Sequence, residues 1–202
     1  MKITICLWIL LLIVIYASAQ RNKQISLAFI NAGTSKPFSQ FGNLVSDIHQ
    51  PGIELGYAFN WKTKHKHDWF QEIKLSYFYH RFVQHAIPLY TDFGYRYKFS
   101  KRWSAQAAIG AGYMHSLPAT AQLTLQSNGE YKNGKGIGRM QALGVLNVGT
   151  SYTLNPSANK FAKIFITWQQ MLQMPFINAY VPLLPYNSLL LGVSLPLKST
   201  NK

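Results

Sequence analysis

The chain has a single cysteine, Cys6, in 202 residues. Internal disulfide staples and Cys-rich metal centres are thereby excluded. Acidic residues are scarce too, six Asp and Glu against twenty Lys and Arg. Charged residues make up 13% of the chain, about half of the ~25% usual for soluble domains. Long apolar runs are missing as well. The longest, Ile3 to Tyr16, covers 14 residues, short of the ~20 that a helix needs to cross a bilayer. No internal repeat or low-complexity tract is present.

That one apolar run has a specific context. Lys2 precedes it and Ala17-Ser18-Ala19 closes it. A positive start, an apolar stretch and small residues at the exit predict a cleaved signal peptide over 1–19. The alternative is an uncleaved anchor helix, which the closing small residues disfavour. A single domain, 20–202, follows. Cys6 lies inside the leader, so the mature chain has no cysteine, and it comes too early to be a lipidated residue. The chain is expected to be exported.

Aromatics and glycine are plentiful: 12 Tyr, 12 Phe, 5 Trp and 14 Gly. Their spacing is informative. In GIELGYAFNWK (52–62), Ile53, Leu55, Tyr57, Phe59 and Trp61 alternate with Glu54, Gly56, Ala58, Asn60 and Lys62. Period-two alternation marks a strand with two unlike faces. Eight segments read this way: 24–32, 52–62, 69–81, 86–99, 103–115, 139–154, 161–172 and 187–197. The connections are mostly short on one side (62–68, 100–102, 155–160) and long on the other (33–51, 116–138, 174–186), with a tight hairpin near 82–85. Ser127-Asn128-Gly129 and Asn133-Gly134 supply turn chemistry for an extra hairpin within the loop 116–138.

The leader, the eight alternating strands and their aromatic-rich ends resemble the small outer-membrane β-barrel proteins of bacteria. The segments YFYHRFVQHAIPLYTDFGYRY (77–97) and AYVPLLPYNSLLLGV (179–193) also resemble a group of bacterial outer-membrane proteins without a known activity. The resemblance implies an all-β fold, an eight-stranded antiparallel up-and-down transmembrane β-barrel in the outer membrane. One departure is visible. Such barrels usually end on an aromatic residue, whereas here the last strand ends at Leu197 and Lys-Ser-Thr-Asn-Lys follows.

The residues themselves favour lipid outside over a core inside. A water-facing strand surface carries about 25–35% Lys, Arg, Glu and Asp. The second face here is mostly Gly, Ala, Ser, Asn and Gln, as suits the crowded interior of an eight-stranded barrel. Glu54, Glu72, Lys74, Asp92, Arg96 and Lys98 fall on that inward face, and a network of ion pairs is expected, because an isolated buried charge is costly. Twelve of the cations fall at the short-turn end: Arg21, Lys23, Lys62, Lys64, Lys66, Lys98, Lys101, Arg102, Lys160, Lys163, Lys198 and Lys202. A basic belt of this kind suits anionic head groups. Trp61, Trp69, Trp103 and Trp168 are candidates for an interfacial girdle. The runner-up is a soluble secreted carrier of lipocalin type, with the same alternation and the faces exchanged.

Candidate chemistry is thin. His49, His80, His85 and His115 map to the long-loop end, but no spacing on one element supports a metal site, so none is assigned. His65 and His67, in KHKHD, read as solvated turn residues. A lipid-modifying enzyme of lipid A deacylase or acyltransferase type would need a serine and a histidine within reach at that end. His115, Ser116, His80 and His85 are the weak candidates, and His115 and Ser116 point to opposite faces. An open pore is disfavoured in eight strands. The basic charge does not form an aromatic-lined groove, so nucleic acid is not expected as a partner. What remains is a monomeric barrel without a cofactor, in contact with outer-membrane lipids, with a structural, adhesive or loop-mediated binding role.

Overall fold

The computed structural model describes residues 23–34, 50–81, 83–119, 123–133, 137–156, 162–176 and 182–197. The leader 1–19, His49 and most of the loop 33–51 lie outside these residues, as do Arg21, Lys160, Lys198 and Lys202.

The strands are β1 (Lys23–Thr34), β2 (Pro51–Thr63), β3 (His67–His80), β4 (Gln84–Lys98), β5 (Trp103–Pro118), β6 (Leu123–Leu125), β7 (Tyr131–Asn133), β8 (Arg139–Thr153), β9 (Lys163–Met174) and β10 (Leu184–Pro196). Eight of them close into a barrel in the order β1-β10-β9-β8-β5-β4-β3-β2. Every pair is antiparallel and joins neighbours along the chain, with β1 and β10 closing the ring. The topology is therefore up-and-down, and the closure leaves no edge exposed. β6 and β7 form a separate hairpin within the β5–β8 connection, where the turn residues predict one.

Alternation sets the faces. On β3, Ile73, Leu75 and Tyr77 are exposed while Glu72, Lys74 and Ser76 are buried. On β4, Leu89 and Phe93 are exposed and Tyr90, Asp92 and Arg96 are buried. Cross-strand register brings like faces together: Leu55 pairs with Leu75 and with Leu27, and Leu75 pairs with Leu89. The wall thus carries an apolar outer surface that includes Phe29, Ile53, Ile109, Ile166, Leu191 and Val193.

Phe59 departs from the expected pattern. It shares the outward parity of Tyr57, yet it is 1% exposed. Trp61, the extra residue at the register shift between Asn60 and Lys62, packs beside it at 5.7 Å between ring centroids. The shift is a local bulge, and bulges re-aim side chains at barrel rims. Phe59 is consequently covered rather than presented to the surroundings.

The interior is filled. Ala28, Ile30, Phe78, Met114, Leu143, Val145, Met171, Tyr186 and Leu190 form a buried apolar cluster. Small inward residues make room for it and for its neighbours. At Gly94 a Cβ would stand 2.4 Å from the Phe70 ring and 2.7 Å from the Ala108 side chain. Eight strands leave space for side chains and little else.

Candidate functional site

The lumen has three levels, built from inward residues of successive strands. The middle level holds charge. Lys74 Nζ lies 2.9 Å from Glu72 Oε2, 3.2 Å from Asp92 Oδ2 and 3.8 Å from Glu54 Oε1. Arg96 Nη2 is 3.9 Å from Glu72 Oε1. Neutral donors join two of the carboxylates: Ser76 Oγ donates to Glu54 Oε2 at 2.8 Å, Tyr90 Oη donates to the same oxygen at 2.5 Å, and Asn147 Nδ2 donates to Asp92 Oδ2 at 2.6 Å. Gln169 Nε2 donates in turn to Tyr90 Oη at 2.6 Å. Ion pairs survive away from water when hydrogen bonds satisfy the remaining lone pairs; Glu54 is supported in this way, whereas Asp92 Oδ1 has no hydrogen-bond partner among the described residues.

Glu54, Glu72, Lys74, Asp92 and Arg96, all candidates from alternation, meet here. Lys98 sits one level lower and pairs with Asp68 at 2.7 Å. Asp68 is 3% exposed and was not among the candidates. It opens β3 two residues after the turn, where parity is hard to read without the register.

The level nearest the long loops is a stopper of amides. Gln84 Nε2 donates to Gln173 Oε1 at 2.7 Å and to Tyr186 Oη at 2.9 Å. Gln173 Nε2 donates to Gln141 Oε1 at 2.6 Å, as does Ser116 Oγ at 2.6 Å. Phe78 and Tyr186 pack edge to face below them, with centroids 5.2 Å apart. Sequence reasoning missed this layer. Its glutamines come from β4, β8 and β9, and Gln84 on β4 is remote along the chain from the other two.

The histidine and serine candidates do not converge. Ser116 is buried and faces the lumen. His115 faces outward; its Nδ1 pairs with Tyr113 Oη and its Nε2 with the Ile137 carbonyl oxygen, each at 2.8 Å. His80 is buried on the inner side, 3.4 Å from Thr34 Oγ1. His85 is on the outer side, its Nδ1 2.9 Å from Tyr77 Oη. No nucleophile and base stand within reach of each other in this set. Among the described residues no group of His, Cys, Asp and Glu is arranged to hold a metal.

The outer rims are aromatic. Trp69 and Trp103 are exposed near the short turns, where Trp69 stacks on Phe93 and Trp103 meets Tyr152. Trp61 Nε1 donates to Gln71 Oε1 at 3.1 Å at the same end. Trp168 lies midway along β9, between Val148 and Leu189, rather than at a strand end. At the long-loop end the amphipathic ring is made by Tyr–His pairs, Tyr77 with His85 and Tyr113 with His115. A third such pair, Tyr95 with His67, lies at the turn end. Such groups place an apolar body and a polar tip at a membrane interface.

An apolar exterior, aromatic rims, a polar filled interior and closure without an edge define a transmembrane β-barrel. The soluble-carrier alternative requires the large apolar face to point inward; Leu55 and Leu191 point outward, 49% and 57% exposed.

Neisserial surface protein A has a similar structure, with a TM-score of 0.50 at 10% identity over 87% of this chain and 96% of that one. Ail, the attachment invasion locus protein of Yersinia pestis, aligns at 0.49 and 10% identity, over 88% of this chain and 99% of its own. The outer membrane enzyme PagL aligns at 0.44 and 10% identity, over 86% and 99%. The fold is thus that of the small outer-membrane β-barrels. No protein-family model and no curated protein matches the chain.

Proposed function

We propose that this protein is an integral barrel of the bacterial outer membrane, delivered there after removal of residues 1–19, and that the barrel is a stem for its long loops. The observation that carries this reading is the filled lumen. A channel needs a continuous aqueous path, and the charge layer and the amide stopper occupy the axis. Function on a rigid closed scaffold then falls to the loops. The β6–β7 hairpin supports this assignment, because Leu125, Tyr131, Ile137 and Met140 on and beside it are 60–89% exposed. Apolar side chains held out in this way suit contact with a partner surface.

Deleting 120–136 tests the reading. The shortened barrel is expected to pellet with outer membranes and to keep its heat-dependent shift on a denaturing gel, while an adhesion or envelope phenotype is lost. Retention of every phenotype by the shortened barrel would refute the role of this loop. The lipid-modifying alternative rests on His115 and Ser116, whose side chains diverge. It requires that His115→Ala or Ser116→Ala alter the cell's own lipid profile with the barrel intact.

A further inference from the structure

The lumen is sealed toward the long loops but open at the turn end. There a cavity of about 840 Å³ lies inside the rim formed by the strand ends and the short turns. Small-molecule sites typically measure ~300–1,000 Å³. Among the described residues, seven Lys and Arg side chains line the cavity, against one carboxylate, Asp68. Lys98 already engages that carboxylate at 2.7 Å. These residues give the lining a formal net charge of +6, with every Lys and Arg counted as charged and histidine as neutral. Four of the cations, Lys23, Arg96, Lys98 and Lys163, belong to strands, and the rest to the turns.

The floor is built. Arg96 is 5% exposed, donates from Nε to Gln106 Oε1 at 3.0 Å, and lies 4.5 Å above the Phe70 ring. Stacking and one bond fix the plane of the guanidinium. Its Nη donors are held near the carboxylate of Glu72 at the cavity's inner end. Beyond it a constriction of about 30 Å³ reaches Glu54 and Lys74. The basin is accordingly blind, and a solute enters and leaves by the same mouth.

From this geometry we infer that the turn-end cavity binds a small, soluble, multiply phosphorylated anion. Guanidinium and ammonium groups are the natural partners of phosphate oxygens. Phosphate groups carry enough charge to balance such a lining in a body that fits the volume. Converging cations repel one another, and a polyanion relieves that repulsion. Lipid head groups meet the outer rim of the barrel, whereas this site lies on its axis. The inference does not depend on which compartment the turn end faces, nor on the role assigned to the loops.

The test uses the full mature chain folded in neutral phosphatidylcholine vesicles and tripolyphosphate as the probe. Calorimetry at ~0.15 M salt, where exposed charges are screened beyond about 8 Å, is expected to show one saturable site per barrel. Orthophosphate is expected to bind more weakly. The double variant Lys23→Gln/Lys101→Gln, at the mouth, is expected to weaken tripolyphosphate by roughly tenfold with the heat-dependent gel shift unchanged. Arg96→Lys probes the floor, and its folding is checked by the same shift. Binding that fails to saturate, or that tetraglutamate, of similar charge at neutral pH, matches, would overturn the inference. So would loss of tripolyphosphate binding on adding phosphatidylglycerol to the vesicles, which would assign the basin to a lipid head group.

Discussion

Lys74 and Asp92 meet inside the barrel with Nζ and Oδ2 3.2 Å apart and the Asp92 side chain fully covered. The same ammonium group faces Glu72 and Glu54. It is the cation on which three carboxylates converge. Lys74→Met removes it and leaves those acids crowded in a closed space. Breaking a buried pair from one side costs about 3–5 kcal/mol. Urea unfolding in lipid vesicles is expected to show a loss of this size, and Lys74→Met/Asp92→Asn is expected to recover part of it. An unchanged midpoint for the single variant would mean that the acids are not held by this lysine.

The filled interior makes a second prediction, at glycine. Gly94→Val places new methyl groups against Phe70 and Ala108, where even a Cβ has no room. Overpacking of this kind costs about 1–3 kcal/mol. Gly144 is the control, since a Cβ there meets nothing within 4 Å. Gly144→Ala is expected to leave the unfolding midpoint unchanged.

Much of this arrangement was legible in the residues, because parity along a strand fixes which face each side chain takes. The alternation along β3 and β4 gives Glu72, Lys74, Asp92 and Arg96 one shared parity, and all four are buried. The turn residues around Asn128-Gly129 marked the hairpin. What parity cannot supply is height along the axis, which depends on the stagger between strands. Asp68 reaches Lys98, and Gln84 reaches Gln173, only once the register is known. Phe59 has the right parity and is still covered, because the bulge after Asn60 is a local event that periodicity does not announce. Trp168 likewise has the expected face but a mid-strand height.

Depth along the wall is measurable at the tryptophans. Variants that keep only Trp69 or only Trp103 are expected to be quenched best by lipids brominated near the head group. A variant that keeps only Trp168 is expected to be quenched best by bromine deep in the acyl chain. Equal quenching profiles would contradict the heights at which β3, β5 and β9 place these rings.

A charge on the outer wall makes a fourth prediction. Ile109 is 70% exposed near the middle of β5. Ile109→Arg is expected to destabilise the barrel in lipid by about 2–4 kcal/mol, and Ile164→Arg, close to the start of β9, by about 0–1 kcal/mol. The comparison is read from unfolding midpoints in the same vesicles. Equal costs would mean that the two positions lie at one depth or that neither faces hydrocarbon.

The orientation of the two faces can be read residue by residue. Expressed from Gln20, the chain has no cysteine, so single cysteines carrying spin labels can be placed at 73, 74, 75, 76 and 77 in the folded barrel in vesicles. Labels at 73, 75 and 77 are expected to collide readily with dissolved oxygen and hardly at all with a water-soluble nickel chelate. Labels at 74 and 76 are expected to be shielded from both. Nickel-accessible labels at the odd positions would show that Ile73, Leu75 and Tyr77 meet water, and would contradict the account.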